Sequence, residues 1–273
     1  MLFRKRERFE RTDVPNPSPY SNIIGGVVLA VVFVALFVVV GRVADRVGKE
    51  TRLNDISLSK AVSKQSSMTV TQEGYSISQD AWTKVLLLSV SDPSNVKKGT
   101  TLVSAQALMI RDRTVEDGES AGQVETTATL ANLPLEAKVT SDQTASTLAD
   151  LCASKGAAAC VVPVNAATNI KYSHVIVASD DLISQLLALA GADPAALITD
   201  SASLVEKIRT DMSAEELVAL ATKVAGIGVE NIQTVDAELM ADTTTGADGQ
   251  SVDTGFQAIN RTQLCVAVGT LVN

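Results

Sequence analysis

The chain has 273 residues, 46% of them apolar and 3% aromatic, and its 31 acidic side chains outnumber 23 basic ones for a net charge of −8. That length leaves room for one domain of ordinary size with its own core. The acidic balance opposes polyanionic partners, nucleic acid above all, and the few aromatic residues after residue 41 (Tyr75, Trp82, Tyr172 and Phe256) make a base-stacking platform untenable.

In chain order, residues 1–22 form a short basic tail carrying Arg4, Lys5, Arg6, Arg8 and Arg11. Residues 23–41 (IIGGVVLAVVFVALFVVVG) hold no charge. At about 1.5 Å per residue they span roughly 28 Å, which predicts one transmembrane helix. A cleaved signal peptide has a shorter apolar run and a small-x-small site, whereas this run exits into Gly41-Arg42-Val43-Ala44-Asp45 and reads as an uncleaved anchor.

Basic residues flank the run on both sides (Arg42, Arg46, Lys49, Arg52 and Lys60 follow it), so counting them does not orient it. Beyond Lys60 the chain carries 13 basic against 25 acidic residues, a net of −12. The basic tail is therefore the expected cytoplasmic end and the acidic domain the expected exterior part. Residues 42–79 read as a charged, Ser-rich linker with helical character around 43–49, and 80–273 as the exterior domain.

Within that domain, 84–90 (KVLLLSV) is a continuous apolar run, the pattern of a strand buried on both faces, closed by Ser91-Asp92-Pro93. Residues 101–110 and 124–133 read as an antiparallel pair around a charged loop, 111–122. A helix is expected over 144–154, stopping at Gly156, then strands over 158–164 and 172–178. A helix should follow from Ser179 or Asp180, with Leu182, Ile183, Leu186, Leu187 and Ala190 on its apolar stripe up to Gly191.

Leu204, Val205 and Ile208 mark a short helix, and Ser213-x-x-Glu216 is a capping box for another with Leu217, Leu220, Ala221 and Val224 buried. A polar loop follows Met240, and 264–272 reads as a last strand. The fold class is α/β, a mixed β-sheet flanked by helices in an α-β-α arrangement and preceded by one transmembrane helix.

Chemistry-bearing motifs are sparse. No Gly-rich phosphate loop, Cys-x-x-Cys or His-Glu-x-x-His occurs. His174, the only histidine, lies in an apolar strand and reads as a packed structural residue rather than a general base. Glu215-Glu216 and Asp180-Asp181 sit at predicted helix starts, where carboxylates favour the N-terminal dipole. Cys152, Cys160 and Cys265 are expected as buried thiols; one disulfide among them is open to an exported domain, with Cys160 able to pair with Cys152 or Cys265. The paired short spacing of a zinc module is missing.

Four ordered segments carry a resemblance. KVLLLSVSD resembles the V-L-L-L-G-x-D opening of the LytR-CpsA-Psr cell-envelope family. TLVSAQALMIRD resembles its second strand around R-S-D-T-M-M-L, ATLANLPLEAKV its third around S-I-P-R-D-T, and IKYSHVIVASDDLISQLLALAG its I-D-H-Y-V-x-V strand-helix unit. Together they cover Lys84 to Gly191.

The resemblance implies an extracytoplasmic domain that binds a polyprenyl-pyrophosphate-linked glycopolymer and transfers it to the cell wall, with acidic residues on a divalent cation and arginines on the pyrophosphate. The chain departs from that pattern where chemistry matters. Ala105 and Val103 stand where the family has Asp and Arg, and Pro134-Leu135-Glu136 replaces P-R-D, so only Glu136 keeps an acidic group. The arginine-bearing segment expected after Gly191 reads ADPAALITDSASLVEKIRTDMS.

Three readings follow. The favoured one is a non-catalytic, membrane-anchored relative that binds, scaffolds or regulates in wall assembly, its partners the membrane and either polyprenyl-phosphate lipid or wall-assembly proteins, with no cofactor. The second is an active transferase using magnesium held by Glu136 and Asp92, favoured if Lys138, Lys171 or Arg209 converged at an apolar cavity. The third is an unrelated anchored envelope domain.

Overall fold

The computed structural model describes residues 52–69, 73–115, 122–180, 182, 207–228, 231–245 and 250–272. The expected transmembrane helix, 23–41, and the basic tail lie outside these residues. Among the described residues no helix is long and apolar enough to cross a membrane.

The folded core begins before residue 80. α1 (Ile56–Ser63), inside the stretch read as linker, is capped by Asp55, whose Oδ1 accepts the Ser57 and Leu58 amides at 2.8 and 3.3 Å. It buries Leu58 completely. One apolar stripe on a short Ser- and Lys-rich helix is enough to dock it, and composition alone hides that stripe. β1 (Ser76–Ile77) follows and leads into β2 (Ala81–Val90), which contains the apolar run.

β2 is buried on both faces, as the continuous run predicts: Leu86, Leu88 and Val90 enter one core, Val85 the other. β3 (Leu102–Thr114) and β4 (Val124–Leu133) form the expected antiparallel pair. β3 extends through residues read as loop because Asp112 accepts from Thr126 Oγ1 at 2.8 Å across the strands and pairs with Lys223.

A small hairpin, β5 (Lys138–Ser141) with β6 (Thr144–Thr147), precedes α2 (Leu148–Lys155). The helix expected from residue 144 thus starts at Leu148, where Thr147 Oγ1 caps the Asp150 amide at 3.1 Å. The strand expected over 158–164 is instead helix α3 (Ala157–Thr168). Ala157, Cys160, Val161 and Val164 are all buried at helical spacing, and a short apolar run of this kind does not distinguish a buried helix from a buried strand.

β7 (His174–Ser179) matches the expected strand. Asp180 and Leu182 are helical and Leu182 is fully buried; Ile183, Leu186, Leu187, Ala190 and Gly191 lie outside the described residues, as do Leu204 and Val205. Ile208, assigned to a short helix from sequence, belongs to strand β8 (Ile208–Thr210), fixed by antiparallel pairing with β7. α4 (Ala214–Ile227) carries the capping box: Ser213 Oγ accepts the Glu216 amide at 3.2 Å and Glu216 Oε2 the Ser213 amide at 2.8 Å. Leu217, Leu220, Ala221 and Val224 are its buried residues, as expected.

After β9 (Gln233–Asp236), the residues read as a polar loop form an antiparallel ribbon, β10 (Leu239–Thr245) with β11 (Ser251–Ile259). The ribbon is mostly exposed, so its strands carry no apolar alternation to announce them. The expected last strand is mainly helix α5 (Arg261–Ala267), capped by Asn260; after the turn at Gly269 (φ +77°) only β12 (Leu271–Val272) is extended, paired with β1.

The central sheet has six strands in the order β8-β7-β2-β3-β4-β9. β2 runs parallel to β7 and β4 parallel to β9, the other neighbours being antiparallel. The larger core lies between one face and α1, α2, α3 and α5, and the smaller core between the other face and α4. This is the mixed α/β architecture the sequence predicts.

Candidate ligand-binding edge

β3 is antiparallel to both β2 and β4, so β2, β4, β7 and β9 all point the same way and their carboxyl ends share one edge. In open α/β sheets ligands bind outside that edge. The loops there carry both acidic groups singled out from sequence.

Asp92, just past β2, is exposed. Its Oδ1 accepts the Ser94 amide at 2.9 Å while its own amide donates to Thr100 Oγ1 at 3.1 Å. The hydrogen bonds from Ser94, with smaller help from Lys98 and Arg209, hold its carboxyl below the usual range. Glu136 is exposed in the turn after β4. β3 lies between their strands, which places β2 and β4 about 10 Å apart, whereas ligands of one hard cation sit roughly 2 to 2.6 Å from it. Among the described residues no three His, Cys, Asp or Glu side chains gather as a metal site.

The positions that depart from the family pattern are equally distinct. Val103 is 46% exposed, while Ala105 is 2% exposed and packs into the larger core. Leu135 is partly buried against that core and accepts the Ala149 amide with its carbonyl at 3.0 Å.

The three basic residues do not converge. Arg209 Nε donates to the Pro93 carbonyl at 2.9 Å and Nη1 lies 3.2 Å from Asp55 Oδ2, tying the β2 loop to β8 and to the cap of α1. Lys138 Nζ lies 2.5 Å from Asp242 Oδ2, which also accepts Thr254 Oγ1 at 2.6 Å. Those hydrogen bonds, Lys138 first, hold the Asp242 carboxyl below its ordinary value. Lys171 is exposed and precedes β7, on the opposite edge.

Two features here escape local sequence reading. Gln106, Asn132 and Asp236 stand at one register on neighbouring strands. Gln106 Nε2 donates to Asn132 Oδ1 at 2.8 Å and Asn132 Nδ2 to Asp236 Oδ1 at 2.7 Å, a polar row across three strands on the face that carries the smaller core. Beside the β5 hairpin a cavity of about 230 Å³ is bounded by Lys138, Asp242, Arg261, Pro163, Ala167 and Ile259, among others. The edge thus offers amides, hydroxyls and, at Lys138 and Arg209, cations paired with carboxylates.

On the opposite edge, His174 Nδ1 lies 3.1 Å from Asp211 Oδ2, while Asp211 Oδ1 accepts the Val175 amide at 2.7 Å. The Asp211 hydrogen bond outweighs burial and raises the imidazole above its ordinary value. A second cavity, about 290 Å³, lies beside Trp82, Arg111 and Gly269. Arg111 is bound to Asp80 at 2.5 Å, and Lys84 and Arg111 flank the Trp82 ring at 5.6 and 5.8 Å from its centroid.

The sequence matches no family profile and no curated protein. Among solved structures the fold is similar to B. subtilis TagV, at 11% identity and a TM-score of 0.44, covering 71% of this chain and 96% of that one. It is also similar to B. subtilis TagT, at 11% identity and a TM-score of 0.39 over 76% and 96% of the two chains. A third is a B. subtilis protein described as the transcriptional regulator yvhJ, at 14% identity and a TM-score of 0.46 over 71% and 96%. TagV and TagT are LytR-CpsA-Psr proteins, the family that the four ordered segments resemble. At these identities and TM-scores the likeness is one of fold alone.

Proposed function

We propose that this chain is a membrane-anchored, extracytoplasmic cell-envelope protein that binds in wall assembly without catalysing transfer. The observation that carries the non-catalytic part is the state of the carboxyl edge: Asp92 is engaged in its own turn, Glu136 is exposed past the next parallel strand with no ion pair among the described residues, and Arg209 and Lys138 face carboxylates. A pyrophosphate leaving group needs preorganised positive charge, and loss of one such donor typically lowers a rate roughly 100-fold to 1000-fold. The ligand class, a polyprenyl-phosphate lipid or an assembly protein, follows from the resemblance; the row of Gln106, Asn132 and Asp236 supports the saccharide part of such a ligand. The anchor and exterior placement rest on the uncharged run 23–41 and the acidic domain behind it.

The test incubates purified protein with a polyprenyl-pyrophosphate-linked saccharide, a wall acceptor and magnesium, beside an active LytR-CpsA-Psr transferase. Saccharide binding without product is the expected result. Product at a comparable rate, abolished by Glu136→Gln, would establish the transferase alternative with Glu136 on the metal.

A further inference from the structure

Two of the three cysteines belong to one junction. α2 and α3 meet at Gly156, the single residue between them, whose φ of +85° turns the chain. Gly156 is locked there: an added Cβ would lie 2.6 Å from the carbonyl oxygens of both Val96 and Lys98. The Cys152 carbonyl, in the last turn of α2, accepts the Gly156 amide at 2.9 Å, and the Cys160 thiol, in the first turn of α3, reaches the Gly156 carbonyl at 3.6 Å. Both side chains are fully buried in the larger core.

Cys265 belongs elsewhere. Its thiol contacts the Thr168 carbonyl at 3.5 Å. Cys160 stands eight residues before Thr168 on α3, about 12 Å of helix. A disulfide needs Cα atoms roughly 4.4 to 6.8 Å apart, so a Cys160–Cys265 bond would require the helix layer to come apart.

We infer that Cys152 and Cys160 are a disulfide site, closed across the Gly156 junction when the chain folds in the presence of a disulfide oxidant, and that Cys265 remains a thiol. The two thiols are neighbours in the folded layer, and before that layer closes either sulfur can attack first, Cys152 for example. Its thiolate attacks a low-molecular-weight disulfide or a disulfide oxidoreductase, giving a mixed disulfide and releasing one reduced thiol. The Cys160 thiolate then attacks the Cys152 sulfur and releases the second. Two protons leave the cysteines and two electrons reduce the oxidant. Complete burial in the folded core means this exchange precedes closure of the α2–α3 layer. That the bond forms in the cell rests on the exterior placement proposed above; the choice of partners does not.

The full chain, reduced and unfolded in detergent, is refolded with a mixture of reduced and oxidised glutathione, alkylated and digested with trypsin without reduction. Cleavage after Lys138, Lys155, Lys171 and Arg261 separates residues 139–155, 156–171 and 262–273. The expected product is the first two peptides joined, about 2 Da lighter than their sum, with Cys265 alkylated; Cys265→Ala leaves the link intact. Three alkylated cysteines, or any link that includes Cys265, overturns the assignment. Linked peptides from refolded protein but free thiols in acid-quenched cells would uphold the pairing and count against the exterior placement.

Discussion

Arg209 and Asp55, 154 positions apart in the chain, meet at 3.2 Å with side chains only 17% and 8% exposed. Asp55 does two things at once, capping α1 through Oδ1 and receiving the guanidinium through Oδ2. Asp55→Asn keeps the capping oxygen and removes the charge, so it should lower stability by about 1 to 3 kcal/mol through the weakened contact. Asp55→Ala loses the cap as well, at about 1 kcal/mol more. Urea midpoints of the two variants measure both steps; equal losses would mean the cap adds nothing beyond the charge.

Ala105→Asp tests whether the missing acid of the family pattern can simply be restored. The position is 2% exposed inside the larger core, where an unpaired carboxylate is expensive. The variant should lose about 3 kcal/mol or more and gain no transfer activity. A stable, magnesium-dependent Ala105→Asp protein would show that the strand can present this position to solvent.

His174 provides a pH signature. Its folded pKa is raised above the unfolded value by Asp211, so protonation favours the folded state. The contribution is complete below the unfolded value of about 6.5 and is lost as pH rises through the higher folded value. The thermal midpoint of the native chain minus that of His174→Gln should therefore shrink between mildly acidic and mildly alkaline pH. A difference that grows with pH would contradict the Asp211 pairing.

The strands and the cap that could be read locally are those whose cause is local. KVLLLSV is apolar at every position a doubly buried strand needs, and Ser213 with Glu216 states its helix start within four residues. The runs 158–164 and 264–267 read as strand yet fold as helix, because Ala, Val and Cys fit either backbone when buried and only packing against the sheet decides. The β10–β11 ribbon is held by Lys138, Asp242 and Thr254, a contact across more than 100 positions. Likewise, Gln106, Asn132 and Asp236 become a row only once strand register is set, so no local pattern marks them as a site.

The same clamp makes a local prediction. Asp242→Ala removes the Lys138 contact that fastens the ribbon to β5 and the Thr254 side-chain bond within the ribbon, and amide exchange over residues 243–245 should rise by roughly tenfold or more. Exchange in β2 should stay unchanged, since its pairing with β3 and β7 does not involve the ribbon. Equal acceleration in both would mean that the substitution loosens the whole domain.

Topology can be checked directly. With the basic tail inside and the acidic domain outside, protease added to intact protoplasts should remove the C-terminal domain. Digestion only after lysis would reverse the orientation.

The pairing of β1 with β12 sets how the domain would respond to mechanical load. Ser76 lies opposite Val272 and Ile77 opposite Leu271, with the Ser78 amide donating to Thr270 at 3.0 Å next in line. The strands are antiparallel, so a pull between the segment ahead of Ser76 and a partner gripping the chain at Val272 reaches both at the same end. The hydrogen bonds would then break in sequence, as in a zipper, rather than together in shear. A load at Val272 would strip β12 from β1 before it reached the central sheet, whereas one arriving through residues 52–55 meets their bonds to β8 and Met212 first.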